Sequence, residues 1–233
     1  MRFGLIGIFI EPIALISIWL LLIGFRRGFA PVFSLDLIIF LTVGNITYEL
    51  FSSISRRSID SINANQALFY YSRVKPFDTI FARALVEINS YGILYIIIIL
   101  GYFYLKNIWV VDNLPLILIS FVLTSIFAFG LGLIFMTAGK RYNYVNQVIN
   151  VIFRPLYFIS GPFFSLAGLP ESIKPWLSWN PLLHSIELSR KGFSESYLLD
   201  PLISLFYLIK ITAITLFLGL LIYVRNEIIL LTK

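Results

Sequence analysis

The chain has 233 residues, of which 59% are hydrophobic and 13% are charged, and its formal net charge is +6. Its mean hydropathy is +0.90, which excludes an ordinary soluble enzyme because a water-soluble fold cannot bury that much apolar surface. The length leaves room for one membrane domain of about six transmembrane helices joined by short connectors.

Cysteine is absent and histidine occurs once, so disulfides, thiolate metal sites and a histidine-based metal cluster are excluded. The positive charge is typical of the cytoplasmic loops of membrane proteins, although it also suits an anionic lipid surface or an anionic cargo. We expect membrane lipids, and no nucleic acid, among the partners.

Long apolar stretches predict the membrane spans, because each stretch is about as long as a helix that crosses a bilayer. The first stretch begins almost at Met1, contains Glu11-Pro12 and lacks the cleavage site of a signal peptide. The predicted spans, in chain order, are residues 3–25, 32–54, 84–105, 114–138, 148–165 and 201–223. The sequence therefore predicts an all-α integral membrane protein with a single domain, residues 1–233.

Two segments do not fit a simple series of spans. Residues 56–83 form the longest hydrophilic stretch and predict a cytoplasmic loop with a short helix. Residues 161–190 are rich in proline, and their apolar pieces are shorter than a bilayer, which favours re-entrant or interfacial helices.

The distribution of cations predicts the orientation. With residues 56–83, the loop 139–144 and both termini in the cytoplasm, most cations of the short loops lie inside, as the positive-inside rule requires. Arg190 and Lys191 are exceptions on the outside, together with the pair Arg26-Arg27.

Polar side chains in apolar surroundings are the next candidates for function. Glu11 lies inside the first span, where a carboxylate marks either a functional site or a pair with a nearby cation at the interface. His184 is expected to be structural or interfacial, and Glu187 to form an ion pair with His184 or Arg190 on one helix face.

The string TAGKRYN does not form a phosphate-binding loop. That motif requires a glycine where Ile134 stands, and a serine or threonine where Arg141 follows Lys140. ATP is therefore not bound by this device, and energy for any transport must come from a partner or an ion gradient. On the same span, Gly130 and Gly132 predict close contact between helices.

Aromatic residues make up 17% of the chain and cluster near the ends of the predicted spans. They predict either an interfacial belt or rings that line a translocation path and stack on sugars. With Glu11, the candidates for the path or its gate are Tyr48, Tyr157, Phe158, Phe163, Phe164, Trp176 and Trp179.

Several stretches resemble the permease subunit of capsular-polysaccharide exporters, which are type-2 ATP-binding-cassette (ABC) systems. They are the pair EP (11–12), SSISRRSIDSINANQALFYYSRVKPFDTIFARALVE (52–87), GLGLIFMTAGK (130–140), FRPLYFISGPFFSLAGLP (153–170) and LSWNPLLHSIELSRKGF (177–193). The resemblance covers nearly the whole chain. It departs at the start, where family members carry an additional amphipathic stretch before the first span.

The resemblance implies a homodimer with two copies of a cytoplasmic ATPase, which holds the ATP and Mg²⁺, exporting lipid-linked capsular polysaccharide across the bacterial inner membrane. It also implies a periplasmic adaptor, an outer-membrane exporter and short outer gate helices in residues 161–190. A coupling helix would contact the ATPase through Asn65, Gln66, Arg73, Lys75 and Asp78.

Two alternatives remain open at this point. In the first, the permease carries another glycoconjugate, such as O-antigen or teichoic acid. In the second, the chain is a membrane enzyme that transfers a sugar or a polyprenyl phosphate. The active site of such an enzyme needs clustered acidic or basic groups, whereas the acidic residues of this sequence are scattered.

Overall fold

The structure, a computed structural model, describes residues 4–27, 30–70, 74–142 and 144–231. Within these residues the chain forms α-helices and two short 3₁₀ helices, at Gln66–Tyr70 and Leu166–Gly168. The α-helices are α1 (Gly4–Arg27), α2 (Leu37–Arg57), α3 (Ser61–Ala64), α4 (Pro76–Lys106), α5 (Leu114–Arg141), α6 (Val145–Ile159), α7 (Lys174–Leu177), α8 (Pro181–Phe193) and α9 (Leu205–Leu231).

In the described part of the chain, α2, α4, α5 and α9 are long and apolar enough to cross a membrane, and Pro12–Arg26 of α1 is a shorter apolar helix. The protein is thus a multi-pass, all-α membrane protein. In α2, 83% of the most apolar window is buried, against 22% in α9. Because α2 is enclosed by other helices and α9 is not, α2 forms the centre of the bundle.

A tight turn before α2 determines where this helix begins. Val32 and Leu35 exchange two backbone hydrogen bonds, and Phe33 and Ser34 between them have φ values of 50° and 71°. The side chain of Asp36 then accepts a hydrogen bond from the N–H of Ile38 and caps the helix. This turn explains why α2 begins at Leu37 and not at residue 32, where the apolar stretch starts.

Glycines bring α5 close to its neighbours, which confirms the prediction of close helix contact. A β-carbon on Gly130 would lie 2.9 Å from the Cα of Leu216 in α9, and one on Gly219 would lie 2.4 Å from the carbonyl oxygen of Gly130. On another face of α5, a β-carbon on Gly132 would lie 2.6 Å from the hydroxyl of Ser58. The backbones therefore approach closely where larger residues would clash.

The fifth apolar stretch forms a shorter helix than the predicted span 148–165. Helix α6 has 15 residues, about 22 Å at the helical rise, which is less than the thickness of the hydrocarbon core. It ends because Gly161 adopts a φ of 91° and proline follows at 162. The short helices α7 and α8 fill the stretch predicted to be re-entrant.

The helices meet at two ends of the bundle. At the first, which we call the loop end, three contacts join α2, the loop 58–75, α4, α6 and α9. They are Arg83 to the carbonyl of Arg57 (3.1 Å), Asn146 to Asp60 (2.8 Å) and Lys75 to Glu227 (3.0 Å). At the opposite end, the N–H of Asn113 donates to the carbonyl of Gly192 (2.8 Å) and joins α5 to α8.

Candidate functional site

Helices α2 and α6 face each other along a line of polar and aromatic side chains, which we call the α2–α6 seam. On α2 the seam residues are Asn45, Tyr48, Ser52 and Arg56, and on α6 they are Asn146, Asn150, Phe153 and Tyr157. Their spacing of three or four residues places each set on one face of its helix. The seam extends about 17 Å along α2.

The part of the seam nearer the opposite end is aromatic. The hydroxyl of Tyr48 donates to the carbonyl of Phe153 over 2.5 Å, and the hydroxyl of Tyr157 donates to the side-chain oxygen of Asn45. The rings of Tyr48 and Tyr157 lie 4.8 Å apart between centroids. Asn45 is fully buried, and its amide donates to the carbonyl of Leu41 over 2.7 Å.

Four rings beside these residues form a continuous surface, which we call the aromatic patch: Trp19, Tyr157, Phe158 and Phe163. Phe163 is its centre, with ring centroids 4.0 Å from Trp19, 4.9 Å from Tyr157 and 5.9 Å from Phe158. Phe158 is 54% exposed, whereas Tyr48 is buried beneath the patch. The patch therefore presents ring faces on which the apolar face of a sugar can stack.

At the loop end the seam opens into a cavity of about 300 Å³, which we call the polar pocket. Its lining is entirely polar or charged: Glu49, Ser52, Ser53, Arg56, Arg57, Asp60, Asn146 and Asn150. The Nε of Arg56 donates to Asn150 over 3.1 Å, and the amide of Asn150 donates to Asn146 over 2.9 Å. One seam thus joins a polar pocket to an aromatic patch.

A buried ion pair lies within α8, on the side that faces α2, and it confirms the predicted pairing of Glu187 with Arg190. Their side chains are 3.0 Å apart and both are fully buried. The guanidinium of Arg190 also donates to the carbonyls of Phe40, Pro162 and Phe164, and it lies 3.5 Å from the ring centroid of Phe40. This arrangement holds the end of α6 and the following turn against α2.

The other groups around the carboxylate of Glu187 are also polar. Glu187 accepts hydrogen bonds from the hydroxyl of Ser165 over 3.0 Å and from that of Tyr197 over 3.1 Å. Burying a charge costs little only when it is paired and its hydrogen bonds are satisfied, as here. The position of Arg190 is therefore structural, and its guanidinium does not face solvent.

His184 joins the segments on either side of α8. Its Nδ1 accepts from the N–H of Ser204 over 3.0 Å, and its Nε2 lies 2.7 Å from the carbonyl of Ser178, to which it donates. The ring packs on Tyr207, with centroids 4.6 Å apart. The prediction of a structural histidine is thus confirmed.

The loop end contains the residues predicted to contact an ATPase. Lys75 pairs with Glu227 of α9 over 3.0 Å, and its backbone N–H donates to Asp78 over 2.9 Å at the start of α4. Asn65 and Asp78 line one cavity of about 570 Å³, and Gln66 is exposed. The structure thus gathers these residues at one end, while Arg73 lies outside the described residues.

The predicted path and gate residues separate into two groups. Tyr48, Tyr157, Phe158 and Phe163 lie together at the seam. At the opposite end, Trp176 and Trp179 are 83% and 79% exposed, while the ring of Phe164 packs into an apolar cluster around Leu166. The side chain of Glu11 lies outside what the structure describes.

Most polar residues of the site, and two of its aromatic ones, were not among the predicted residues; they include Trp19, Asn45, Arg56, Asn146 and Asn150. A signal for them exists in the sequence, because the seam residues of α2 and of α6 each recur at helical spacing. The missing information was that these two faces meet, since the chain separates them by about a hundred residues.

Comparison with known proteins decides the family. The profile of the ABC-2 type transporter family matches residues 37–194, which contain α2 through α8 and both parts of the seam. The chain belongs to the ABC-2 type transporter family. As in the sequence-based prediction, this ABC-2 transporter chain is an all-α membrane protein that resembles exporters of capsular polysaccharide.

Curated relatives match this ABC-2 transporter chain over most of its length. It is 39% identical over 233 residues to the polysialic acid transport protein KpsM of Escherichia coli, covering 100% of this chain and 89% of that protein. The capsule polysaccharide export inner-membrane protein BexB of Haemophilus influenzae is 30% identical over 191 residues, which cover 82% of this chain and 71% of BexB. The capsule polysaccharide export inner-membrane protein CtrC of Neisseria meningitidis serogroup A is 29% identical over 190 residues, which cover 82% of this chain and 71% of CtrC.

Proposed function

We propose that this chain is the transmembrane subunit of an ATP-driven exporter that carries capsular polysaccharide from the cytoplasm across the bacterial inner membrane. The observation that carries the proposal is the identity of 39% to a polysialic acid transport protein, which extends over all 233 residues. The aromatic patch supports it, because partly exposed rings joined by the seam to the polar pocket suit a polymer of sugars.

A separate ATPase would supply the energy, with two copies bound to a homodimer of this chain and ATP and Mg²⁺ held by the ATPase alone. We place this ATPase on the loop end, where Asn65, Gln66, Lys75 and Asp78 lie. Lys75 contacts α9, and its backbone N–H donates to Asp78 in the first turn of α4, so a movement of the loop would be passed to two long helices. Preferential binding of ATP to the closed ATPase dimer would then shift the permease between two states.

The loop end would face the cytoplasm. Cations at this end include Arg56, Arg57, Arg83, Lys140 and Arg141, and the positive-inside rule places such an end inside. Helix α9 ends there, so the C-terminus would be cytoplasmic, and we propose the same side for the N-terminus. On the outside, a periplasmic adaptor and an outer-membrane exporter would receive the polymer.

The first test is to purify the chain together with a candidate ATPase of its source organism and to measure ATP hydrolysis with and without this chain. We expect a stable complex of two copies each, with hydrolysis that depends on ATP and Mg²⁺. Deleting the gene for this chain from its source organism should leave the polymer inside the cell. A plasmid that carries the gene should restore the capsule.

Other results would lead elsewhere. If deletion of the gene removes a different surface glycoconjugate and leaves the capsule intact, the chain is still a transporter subunit, but its cargo is that glycoconjugate. Sugar transfer by the purified chain alone, without the ATPase, would contradict the proposal and favour a membrane transferase.

A further inference from the structure

We propose that Arg154 faces a water-filled path inside the membrane and acts there as an electrostatic barrier that keeps small cations from leaking through the exporter. The inference rests on the proposed function, and it adds a property that polymer transport requires. A path wide enough for a sugar chain would otherwise let ions cross the membrane with it.

Arg154 lies near the middle of the membrane. It is the tenth of the 15 residues of α6, about 14 Å from the first residue of that helix. The other end of α6 stops short of the outer surface, because a β-carbon on Gly44 would lie 2.7 Å from the Cα of Pro162. Gly44 is itself about 10 Å inside the first residue of the spanning helix α2. Arg154 is therefore remote from both ends of the span.

The guanidinium of Arg154 needs water around it. The side chain is exposed, and among the residues that the structure describes it has no partner in a hydrogen bond or an ion pair. A charged group in contact with lipid at this depth is costly, and such groups face a protein interior or a water-filled cavity. Lys210 differs, because it is exposed only about 8 Å from the start of α9 and can extend its ammonium group to the interface. Arg154 has no such route, so its side of α6 faces water.

The neighbours of Arg154 on α6 show which side this is. Asn150, one turn earlier, lines the polar pocket, and Phe158, one turn later, belongs to the aromatic patch. Residues at this spacing share a helix face, so Arg154 lies between the pocket and the patch. The other exposed side of α6 is apolar and carries Val148 and Ile152. The second copy of the proposed homodimer would enclose the side with Arg154 as a path.

The charge of Arg154 supplies what the polar pocket lacks. The pocket contains the carboxylates of Glu49 and Asp60 beside its arginines, and Arg57 is paired with Glu87, so the pocket does not exclude cations. Beyond it, a fixed positive charge in an aqueous path repels cations, as an arginine does in water channels. A sugar polymer is not stopped, because its hydroxyl groups accept hydrogen bonds from a guanidinium.

The first test uses the absence of cysteine from the chain. Arg154→Cys and Ile152→Cys are each prepared in the complex with the ATPase, placed in lipid vesicles and treated with a charged methanethiosulfonate, which reacts with thiols in water. We expect the mass of the chain to show modification of Arg154→Cys and none of Ile152→Cys, which lies at a similar depth on the apolar side. No modification of Arg154→Cys, with or without ATP, would overturn the inference.

The second test measures Na⁺ and Cl⁻ flux across vesicles that contain the complex, at rest and during ATP hydrolysis. We expect Arg154→Gln to raise the ratio of Na⁺ flux to Cl⁻ flux about tenfold and Arg154→Lys to keep the barrier. Arg141→Gln, which removes an exposed cation at the loop end, should behave as the unaltered chain does. An unchanged ratio under both conditions would overturn the inference, and so would an equal rise for both ions, which means only a larger opening.

Misfolding of the Arg154 variants does not remove the test. Phe158→Cys leaves Arg154 in place, and failure of the charged reagent to modify it would show that this side of α6 does not face water. If the complex still forms and hydrolyses ATP when the barrier fails its tests, the proposed function stands and the role of Arg154 alone is wrong.

Discussion

Arg190 carries its charge at a position with no exposed surface. The guanidinium is tolerated there because Glu187 balances the charge and the carbonyls of Phe40, Pro162 and Phe164 accept its hydrogen bonds. An arginine that the sequence places among outside cations is therefore a tie between α8, α2 and the turn after α6. Its replacement should affect stability before it affects transport.

We predict that Arg190→Met lowers the free energy of unfolding by about 3–5 kcal/mol, because it leaves the carboxylate of Glu187 buried without its partner. The measurement is the thermal midpoint of the purified chain in detergent, followed by size-exclusion chromatography. The double variant with Glu187→Met should recover much of the loss, since no isolated charge remains. Equal midpoints for Arg190→Met and the unaltered chain would contradict the structural role.

A second ion pair, outside the spans, gives a dependence on pH. Lys174 lies 2.8 Å from Asp200 and 2.6 Å from Glu171. Burial alone would raise the pKa of Asp200, but the hydrogen bonds from Lys174 and from the N–H of Leu202, with the charge of Lys174, outweigh burial and hold that pKa below its ordinary value. The folded state therefore favours the ionised carboxylate.

Because the pKa of Asp200 is lower in the folded state than in the unfolded chain, its contribution to stability is present above its ordinary pKa of about 3.9 and is lost as the pH falls through the folded value. We predict that Asp200→Asn is less stable than the unaltered chain at pH 7 and that the difference decreases progressively as the pH falls below about 4. Thermal midpoints of both proteins between pH 7 and pH 3 measure this, and a constant difference would contradict it.

At the scale of elements, the contact between α5 and α9 depends on the absence of side chains. We predict that Gly219→Ala destabilises the chain by about 1–3 kcal/mol, because the new β-carbon meets the carbonyl of Gly130 and the backbones must separate. Gly101→Ala in α4 is the matched control, since a β-carbon there meets nothing within 4 Å. Equal thermal midpoints for the two variants would refute the close approach.

The seam allows the role of a ring to be separated from that of its hydroxyl. We predict that Tyr157→Leu reduces the amount of capsule at the cell surface, because it removes a ring of the aromatic patch, whereas Tyr157→Phe keeps most of the export. The yield of purified chain should be similar for both variants. Normal capsule with Tyr157→Leu would mean that this ring only packs.

The hydrophobic pattern predicted the long helices well and their ends less well. Helix α4 begins at Pro76, eight residues before the predicted span, because Asp78 caps a first turn that is too polar for a hydropathy criterion. Helix α6 ends early at a glycine with positive φ. Such ends depend on single residues and local backbone conformation, which average hydropathy does not register.

Four aromatic residues of the site, Tyr48, Tyr157, Phe158 and Phe163, were predictable because rings near span ends are candidates in any transporter. The polar pocket was not, since Arg56 belongs to a basic pair that the positive-inside rule explains and Asn146 lies in a short polar loop. Only the packing of α2 on α6 gives these residues a common role. Whether the rings and the loop residues act in transport stays a prediction.

At the scale of the whole molecule, the two ends differ in how their cations are used. At the opposite end, Lys174 and Arg190 have carboxylate partners, and Lys191 donates to the carbonyls of Glu195 and Tyr197. At the loop end, Arg56 and Arg141 are exposed. Of the cations predicted to lie outside, Arg190 and Lys191 thus have partners within the protein, whereas Arg26 is exposed.

The loop end also provides the test of coupling. We predict that Lys75→Gln with Asp78→Asn stops polymer export by inside-out vesicles that contain the chain and its ATPase, because the loop loses its links to α9 and α4. Lys106→Gln, at the other end of α4, removes a cation without touching the loop and should leave export intact. Undiminished export by the double variant would show that coupling does not pass through these residues.

Helix α8 has a consequence for biogenesis. It has 13 residues, too few to cross a bilayer, and its Arg190 bonds a carbonyl of α2 that is synthesised 150 residues earlier. It therefore cannot enter the membrane as an independent segment at the translocon, since an unpaired arginine is costly in lipid. Because α8 packs against α2 and α5, we expect it to dock as a late step in folding, after those two helices have entered the membrane.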